Sequence, residues 1–193
     1  MSLARLTLRA TVGGLMMGHG LQKLTGSVGG PGLKGTEQTL ASLGMHPAKQ
    51  HALAVALSET AGGGLTAAGF LSPLGPAMIT GVMAVAIRKV HAKNGVWVTK
   101  GGYEFNLTLM AAALSLAIEG PGVLSIDGLL RKQRSGLHWG VLALALGLGA
   151  AAGTLAVAEK FAPDEATTLA PATTNGSGTR PEPAGQSVGS ESS

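Results

Sequence analysis

Five apolar stretches, each close to the length of a membrane-spanning helix, dominate this chain, and the first four carry ionisable side chains in or beside them. The stretches cover residues 3–21, 52–71, 74–92, 103–119 and 138–158. A helix needs about 20 mainly apolar residues to cross a bilayer, and a charge held at its centre costs at least about 2.5 kcal/mol. The sequence therefore predicts an all-α, multi-pass membrane protein whose embedded charges are retained for a reason.

The composition supports a membrane environment. Charged residues make up 12% of the chain and its mean hydropathy is +0.32, whereas soluble domains carry about 25% charged residues. The isoelectric point is 9.7, but the basic residues lie in short clusters beside apolar stretches, which is typical of topology signals and contacts with anionic lipid. We therefore expect the lipid bilayer as a partner and no nucleic acid. The chain has no cysteine, which excludes thiolate nucleophiles and Cys-ligated metals, and no metal site is predicted.

Three regions follow along the chain. Residues 1–128 hold the first four stretches and are predicted to form a four-helix membrane bundle, with a short amphipathic helix over 36–43. Residues 129–160 combine a basic linker with a fifth, peripheral transmembrane helix. Residues 161–193 are rich in Pro, Thr, Gly and Ser, cannot bury a core, and are predicted to be a disordered polar tail.

Polar and small residues share one face on each of the first four stretches when they are placed at about 100° per residue on a helix. Ionisable groups inside membranes face the bundle interior and pair with one another, and small residues let helices approach closely. We therefore predict a shared polar interior in which Arg9 and Arg88 are available to pair with Glu59 and Glu104. The faces consist of Arg5, Arg9, His19 and Lys23; Glu59, Gly62, Gly63 and Thr66; Ala77, Gly81, Ala84, Arg88 and His91; and Glu104, Thr108, Ala111, Ser115 and Glu119.

Several of these charged residues can also be explained without a chemical role. Long side chains such as Arg5 and Lys23 can reach the headgroups from within a span, and Glu104 and Glu119 lie near the ends of theirs. Glu59 lies eight residues into its stretch, where a short side chain does not reach water easily. Glu59 is therefore the strongest candidate for a chemical or bundle-specifying role.

Four short motifs, in this order and spacing, resemble the signatures of a known family. They are His19-Gly-Leu-Gln-Lys-Leu24, Glu59-Thr-Ala-Gly-Gly63, His91-Ala-Lys-Asn-Gly95 with Gly102-Tyr-Glu104, and Gly120-Pro-Gly-Val-Leu-Ser-Ile-Asp127. Over residues 5–128 the chain resembles the DoxX-like membrane proteins. The resemblance implies a four-helix membrane bundle and a link to redox metabolism, because some members are described as a small subunit of a thiosulfate:quinone oxidoreductase. Others are tied to oxidative-stress complexes that include superoxide dismutase and a sulfurtransferase. The fifth stretch and the polar tail depart from the family pattern.

The sequence is compatible with three functions and does not decide whether the chain is an enzyme. The first is a redox-associated subunit of the cell membrane, expected to be the bacterial inner membrane, that handles a quinone and receives electrons from a partner protein. The second is a non-enzymatic scaffold or partner-binding subunit. The third is a small transporter, which the lack of a clear inverted repeat disfavours. Oligomerisation is left open. The candidate residues are Glu59, His19, His91 and Glu104 for proton chemistry, and Arg9, Lys23, Arg88 and Asn94 for ligand binding.

Overall fold

The computed structural model describes residues 2–163, which contain seven α-helices and no strand. The predicted all-α class is therefore confirmed for this part of the chain. The predicted polar tail lies, from residue 164 onward, outside the described residues. The helices are α1 (Ser2–Thr25), α2 (Gly32–Ser42), α3 (Ala48–Ala68), α4 (Leu74–Ala86), α5 (Glu104–Glu119), α6 (Ile126–Leu129) and α7 (Leu137–Lys160).

The helix ends differ from the limits of the apolar stretches. Glycines with positive φ and a change of helix type determine where the helices end. Helix α1 runs four residues past Leu21 to Thr25 and stops at Gly26, whose φ of 75° a residue with a side chain rarely adopts. Helix α3 likewise ends at Gly69, whose φ is 60°. The third stretch is helical only to Ala86, after which a π-helical turn, Ile87–His91, continues it.

Helices α1 and α3 pack antiparallel through glycines. A Cβ atom built on Gly63 would lie 2.6 Å from the carbonyl oxygen of Gly13, and one built on Gly20 would lie 2.8 Å from the Cα atom of Thr60. Only glycine permits this approach, because any side chain would overlap main-chain atoms of the other helix. The contact therefore fixes the register of α1 against α3.

The main apolar core lies among helices α1, α4 and α5. Helix α3 packs on α1 and α4, and α5 packs on α4 and α1. The six residues that share this core come from α1, α4 and α5, and they are Val12, Met16, Ile79, Met83, Leu109 and Ala113. Helix α2 covers α3 and α1 from one side.

Helix α7 packs on α4 and α5 through small residues. A Cβ atom on Gly147 would lie 2.7 Å from the carbonyl oxygen of Ala77, and one on Gly81 would lie 3.0 Å from that of Gly147. The small residues of α4 thus provide a contact with the fifth apolar helix, which the sequence interpretation did not assign to them.

Among the described helices, α7 alone is long and apolar enough to qualify as a membrane span. Helices α1 and α3 have 24 and 21 residues, but their polar and glycine residues lower their hydropathy. Helices α4 and α5 have only 13 and 16 residues. The four-helix membrane bundle and the five spans therefore stay predictions.

A buried carboxylate ties the segment after α5 to the turn between α3 and α4. Asp127 is 1% exposed and accepts hydrogen bonds from the main-chain N–H groups of Leu71 at 3.1 Å and Ser72 at 2.9 Å. Its own N–H donates to the carbonyl oxygen of Gly69 at 3.0 Å. Asp127 therefore holds together two loops that are more than fifty residues apart in sequence.

Replacing Asp127 with asparagine should lower the free energy of unfolding by about 1.5–3 kcal/mol, because two hydrogen bonds to a charged acceptor lose one acceptor oxygen. The midpoint of thermal unfolding of the purified protein measures this loss. Glu159→Gln is the control, since Glu159 is an exposed carboxylate near the end of α7. Equal midpoints for the two variants would show that Asp127 does not stabilise this junction.

Candidate functional site

A cavity of about 510 Å³ is lined by residues of α1, α2, α3, α4, α5 and α7. Its walls are mainly apolar and include Met16, Leu40, Val82, Met83, Phe105 and Leu109. Cavities that bind small molecules usually measure about 300–1,000 Å³ and combine apolar walls with a few polar groups. The volume and the lining therefore fall within the range of cavities that bind small molecules.

An ion pair stands in the wall of this cavity. The ammonium nitrogen Nζ of Lys23 lies 2.5 Å from Oε2 of Glu59, and the side chains are 28% and 5% exposed. The close approach of Gly20 to Thr60 brings this part of α1 against α3. Glu59 lies near the middle of α3, so the pair stands well away from both ends of that helix.

Two histidines and a second lysine share the same cavity. His19 lies one helical turn before Lys23 on α1, and the carbonyl oxygen of His19 accepts a hydrogen bond from Lys23 Nζ at 3.5 Å. His91 and Lys89 reach the cavity from the π-helical turn after α4. The Nδ1 atom of His91 lies 2.8 Å from the carbonyl oxygen of Gly101, which orients the ring. Three of the four residues predicted for proton chemistry, His19, Glu59 and His91, therefore line one cavity.

The structure places three other predicted site residues outside the cavity, Arg88 in the π-helical turn and Asn94 and Glu104 at the two ends of the loop before α5. Glu104 Oε2 accepts a hydrogen bond from the Val98 N–H at 3.0 Å, and Asn94 Nδ2 donates to the carbonyl oxygen of Gly101 at 3.1 Å. Arg88 is exposed. None of the three lines the cavity, and the contacts of Glu104 and Asn94 lie within the segment that follows the π-helical turn of His91.

Arg9 lies at the opposite end of α1 from Lys23 and contacts main-chain oxygens. It is 5% exposed. Its Nε donates to the carbonyl oxygen of Ala67 at 2.9 Å, its Nη1 to that of Pro121 at 2.6 Å, and its Nη2 to that of Leu124. The guanidinium thus joins α1 to α3 and to the segment after α5.

The predicted pairing of Arg9 or Arg88 with Glu59 is wrong, because Glu59 pairs with Lys23. Helices α1 and α3 are antiparallel, so Arg9 lies opposite Ala67 while Lys23 lies opposite Glu59. At about 1.5 Å per residue, Arg9 and Lys23 are about 21 Å apart along α1. Hydropathy alone contains no information about this register.

Asn106 is a cavity residue that the sequence interpretation missed. It lines the cavity from α5 and is 6% exposed. Its Nδ2 lies 3.3 Å from the sulfur atom of Met83. The only signal in the sequence was an amide within an apolar stretch, where it stood as part of a glycosylation sequon inside a predicted span.

Comparison with known proteins finds a match to one family model. The model of the DoxX family matches residues 4–92. This range runs from α1 to the π-helical turn and includes His19, Lys23, Glu59 and His91. No curated protein and no solved structure matches the chain significantly.

Proposed function

Since the chain belongs to the DoxX family through residues 4–92, and is therefore a membrane protein, we propose that it binds a quinone in its cavity as a redox-associated subunit. It crosses the bacterial inner membrane several times and receives electrons from a partner protein. The observation that carries this proposal is the partly buried Lys23–Glu59 pair in the wall of an apolar cavity.

The outer surface supports several membrane crossings. Large apolar side chains are exposed along the described helices, among them Leu8, Leu15, Leu53, Leu57, Phe105, Leu107, Leu142 and Leu146. On α5 the acidic residues Glu104 and Glu119 stand at the two ends, and on α7 the charges Glu159 and Lys160 stand at the last turn. A water-soluble monomer rarely exposes this many large apolar side chains on several of its helices.

The helix lengths fit that arrangement once the π-helical turn is counted. Helix α4 and the turn that continues it cover residues 74–91. At about 1.5 Å per residue this segment reaches about 27 Å, and α5 reaches about 24 Å. These lengths approach the hydrocarbon core, which is about 30 Å thick.

The cavity fits a quinone, whose apolar ring carries carbonyl oxygens that accept hydrogen bonds. Apolar walls surround the ring, and the cavity also contains polar side chains that can donate to the oxygens, among them Lys23, His19 and His91. A bound quinone accepts two electrons and two protons when it is reduced. Glu59 orients the ammonium group of Lys23, and the exposed part of Lys23 connects the pair to the outside for proton exchange. A partner protein supplies the electrons in this proposal.

The test is to extract lipids from the purified full-length protein in bilayer discs and then to titrate it with a short-chain quinone. We expect quinone in the extract and saturable binding by the wild type. Glu59→Gln should bind about tenfold more weakly, because the neutral amide no longer fixes the ammonium group of Lys23. Glu119→Gln is the control, since Glu119 is 63% exposed at the end of α5.

Two results would contradict the proposal. One is a wild type without bound quinone that also fails to bind it on titration. The other is a Glu59→Gln variant that keeps wild-type affinity. A variant that loses thermal stability and binding together would favour a packing role for the pair and hence the scaffold function.

A further inference from the structure

We infer that Asn106 is a second hydrogen-bonding anchor in the cavity, which selects ligands with two acceptor oxygens over ligands with one. This inference rests on the proposed function and specifies its ligand class. The relevant features are the burial of Asn106, its poor internal hydrogen bonding and its position on a different helix from the Lys23–Glu59 pair.

The amide of Asn106 is buried without a strong partner. Only 6% of the residue is exposed. Within the described part of the chain, its side chain makes one hydrogen bond, from Nδ2 to the Met83 sulfur atom at 3.3 Å. A thioether is a weak acceptor, so this bond can be exchanged for one to an oxygen at little cost.

The amide nitrogen of Asn106 keeps a donor for a ligand. The Nδ2 group carries two N–H donors, and among residues 2–163 it makes a single hydrogen bond, to the Met83 sulfur atom. Asn106 lines the cavity, and burying a polar N–H in a mainly apolar space without a partner is unfavourable. A ligand oxygen in the cavity would supply the missing acceptor.

Two polar anchors on separate helices define the ligand. Lys23 donates from the α1 side, and the Nδ2 group of Asn106 donates from α5. A ring with two carbonyl oxygens, such as a 1,4-benzoquinone, can accept from both donors. A phenol with the same ring and tail has one oxygen and gains from only one of them. The cavity should therefore prefer quinones to matched phenols.

The experiment compares two ligands on the full-length protein in bilayer discs. One is a 1,4-benzoquinone with a short alkyl tail, and the other is the phenol with the same tail. The wild type should bind the quinone about tenfold more tightly than the phenol, the expected effect of one additional hydrogen bond. Asn106→Leu, which keeps the branching and the number of heavy atoms of the side chain, should lose about tenfold in quinone affinity and leave phenol affinity unchanged.

Thr108→Val is the matched control, because it removes a polar side chain from the exposed face of the same helix, two residues from Asn106 and outside the cavity lining. It should keep the preference for the quinone. If Asn106→Leu does not fold, Asn106→Ser retains a shorter donor and should show an intermediate loss of quinone affinity. Thermal unfolding of each variant separates a loss of anchoring from a loss of structure.

The outcomes separate this inference from the proposed function. If the wild type binds the quinone and Asn106→Leu binds both ligands as the wild type does, the anchor role is wrong while the proposed function stands. Equal losses for both ligands would assign Asn106 to packing and also overturn the anchor. A wild type that binds neither ligand would overturn the proposed function and the anchor with it.

Discussion

Replacing Gly63 with valine should separate α1 from α3 and leave the protein without its fold. A Cβ atom at this position would lie 2.6 Å from the carbonyl oxygen of Gly13 and 2.9 Å from the main-chain carbon of Met16. Both atoms belong to the main chain of α1, so no rotation of a side chain can relieve the overlap. We expect a loss larger than about 3 kcal/mol, the upper end for overpacked cores.

The matched control for this variant is Gly64→Val, one residue further along the same helix. The nearest atom to a Cβ there is the flexible Met17 sulfur at 3.6 Å. We expect Gly64→Val to unfold within a few degrees of the wild type. Circular dichroism during heating and the yield of monodisperse protein measure both variants. Similar behaviour of the two would contradict the close crossing of α1 and α3.

Replacing Lys23 with methionine should destabilise the protein by about 2 kcal/mol through the charge left on Glu59. Breaking a fully buried ion pair costs about 3–5 kcal/mol. The lower value is expected here because the Lys23 side chain is 28% exposed and solvent weakens the pair. The second change, Glu59→Gln, should recover most of this loss, since it removes the uncompensated carboxylate.

A double-mutant cycle of Lys23→Met and Glu59→Gln measures the coupling between the two side chains. Lys49→Met is the control, because Lys49 is exposed in the first turn of α3, and it should change stability by less than about 0.5 kcal/mol. If the double variant is as unstable as the sum of the two single variants, Lys23 and Glu59 do not act as a pair.

The sequence predicted the depth of Glu59 but not its partner. A carboxylate eight residues inside an apolar stretch is a strong local signal, and the side chain is 5% exposed. Its partner depends on how α1 and α3 are aligned. That alignment is set by main-chain contacts at Gly13, Gly20 and Gly63. Glycines on a helix face indicate a close approach to another helix. The sequence does not identify which glycine of one helix contacts which residue of the other.

The sequence pattern also failed to predict two other features, the contact of Gly81 with Gly147 and the position of Asn106 in the cavity wall. The contact of Gly81 with Gly147 joins two helices through a pair of small residues, and small residues on a helix face do not identify their partner helix. Asn106 carries no charge, so it did not stand out among the ionisable side chains from which the polar faces were built. Its position in the cavity wall depends on how α5 packs against the other helices, which the sequence pattern does not specify.

Photolabelling tests most directly whether a quinone occupies the cavity enclosed by these helices. A quinone that carries a photoreactive group on its ring would be irradiated with the full-length protein in bilayer discs, and the labelled peptides would be identified by mass spectrometry. We expect labels on Met16, Met83 or Phe105, which line the cavity, and we expect excess unlabelled quinone to suppress them. Labels confined to exposed α7 residues such as Leu142 and Leu146, and unaffected by excess quinone, would contradict a binding site in the cavity.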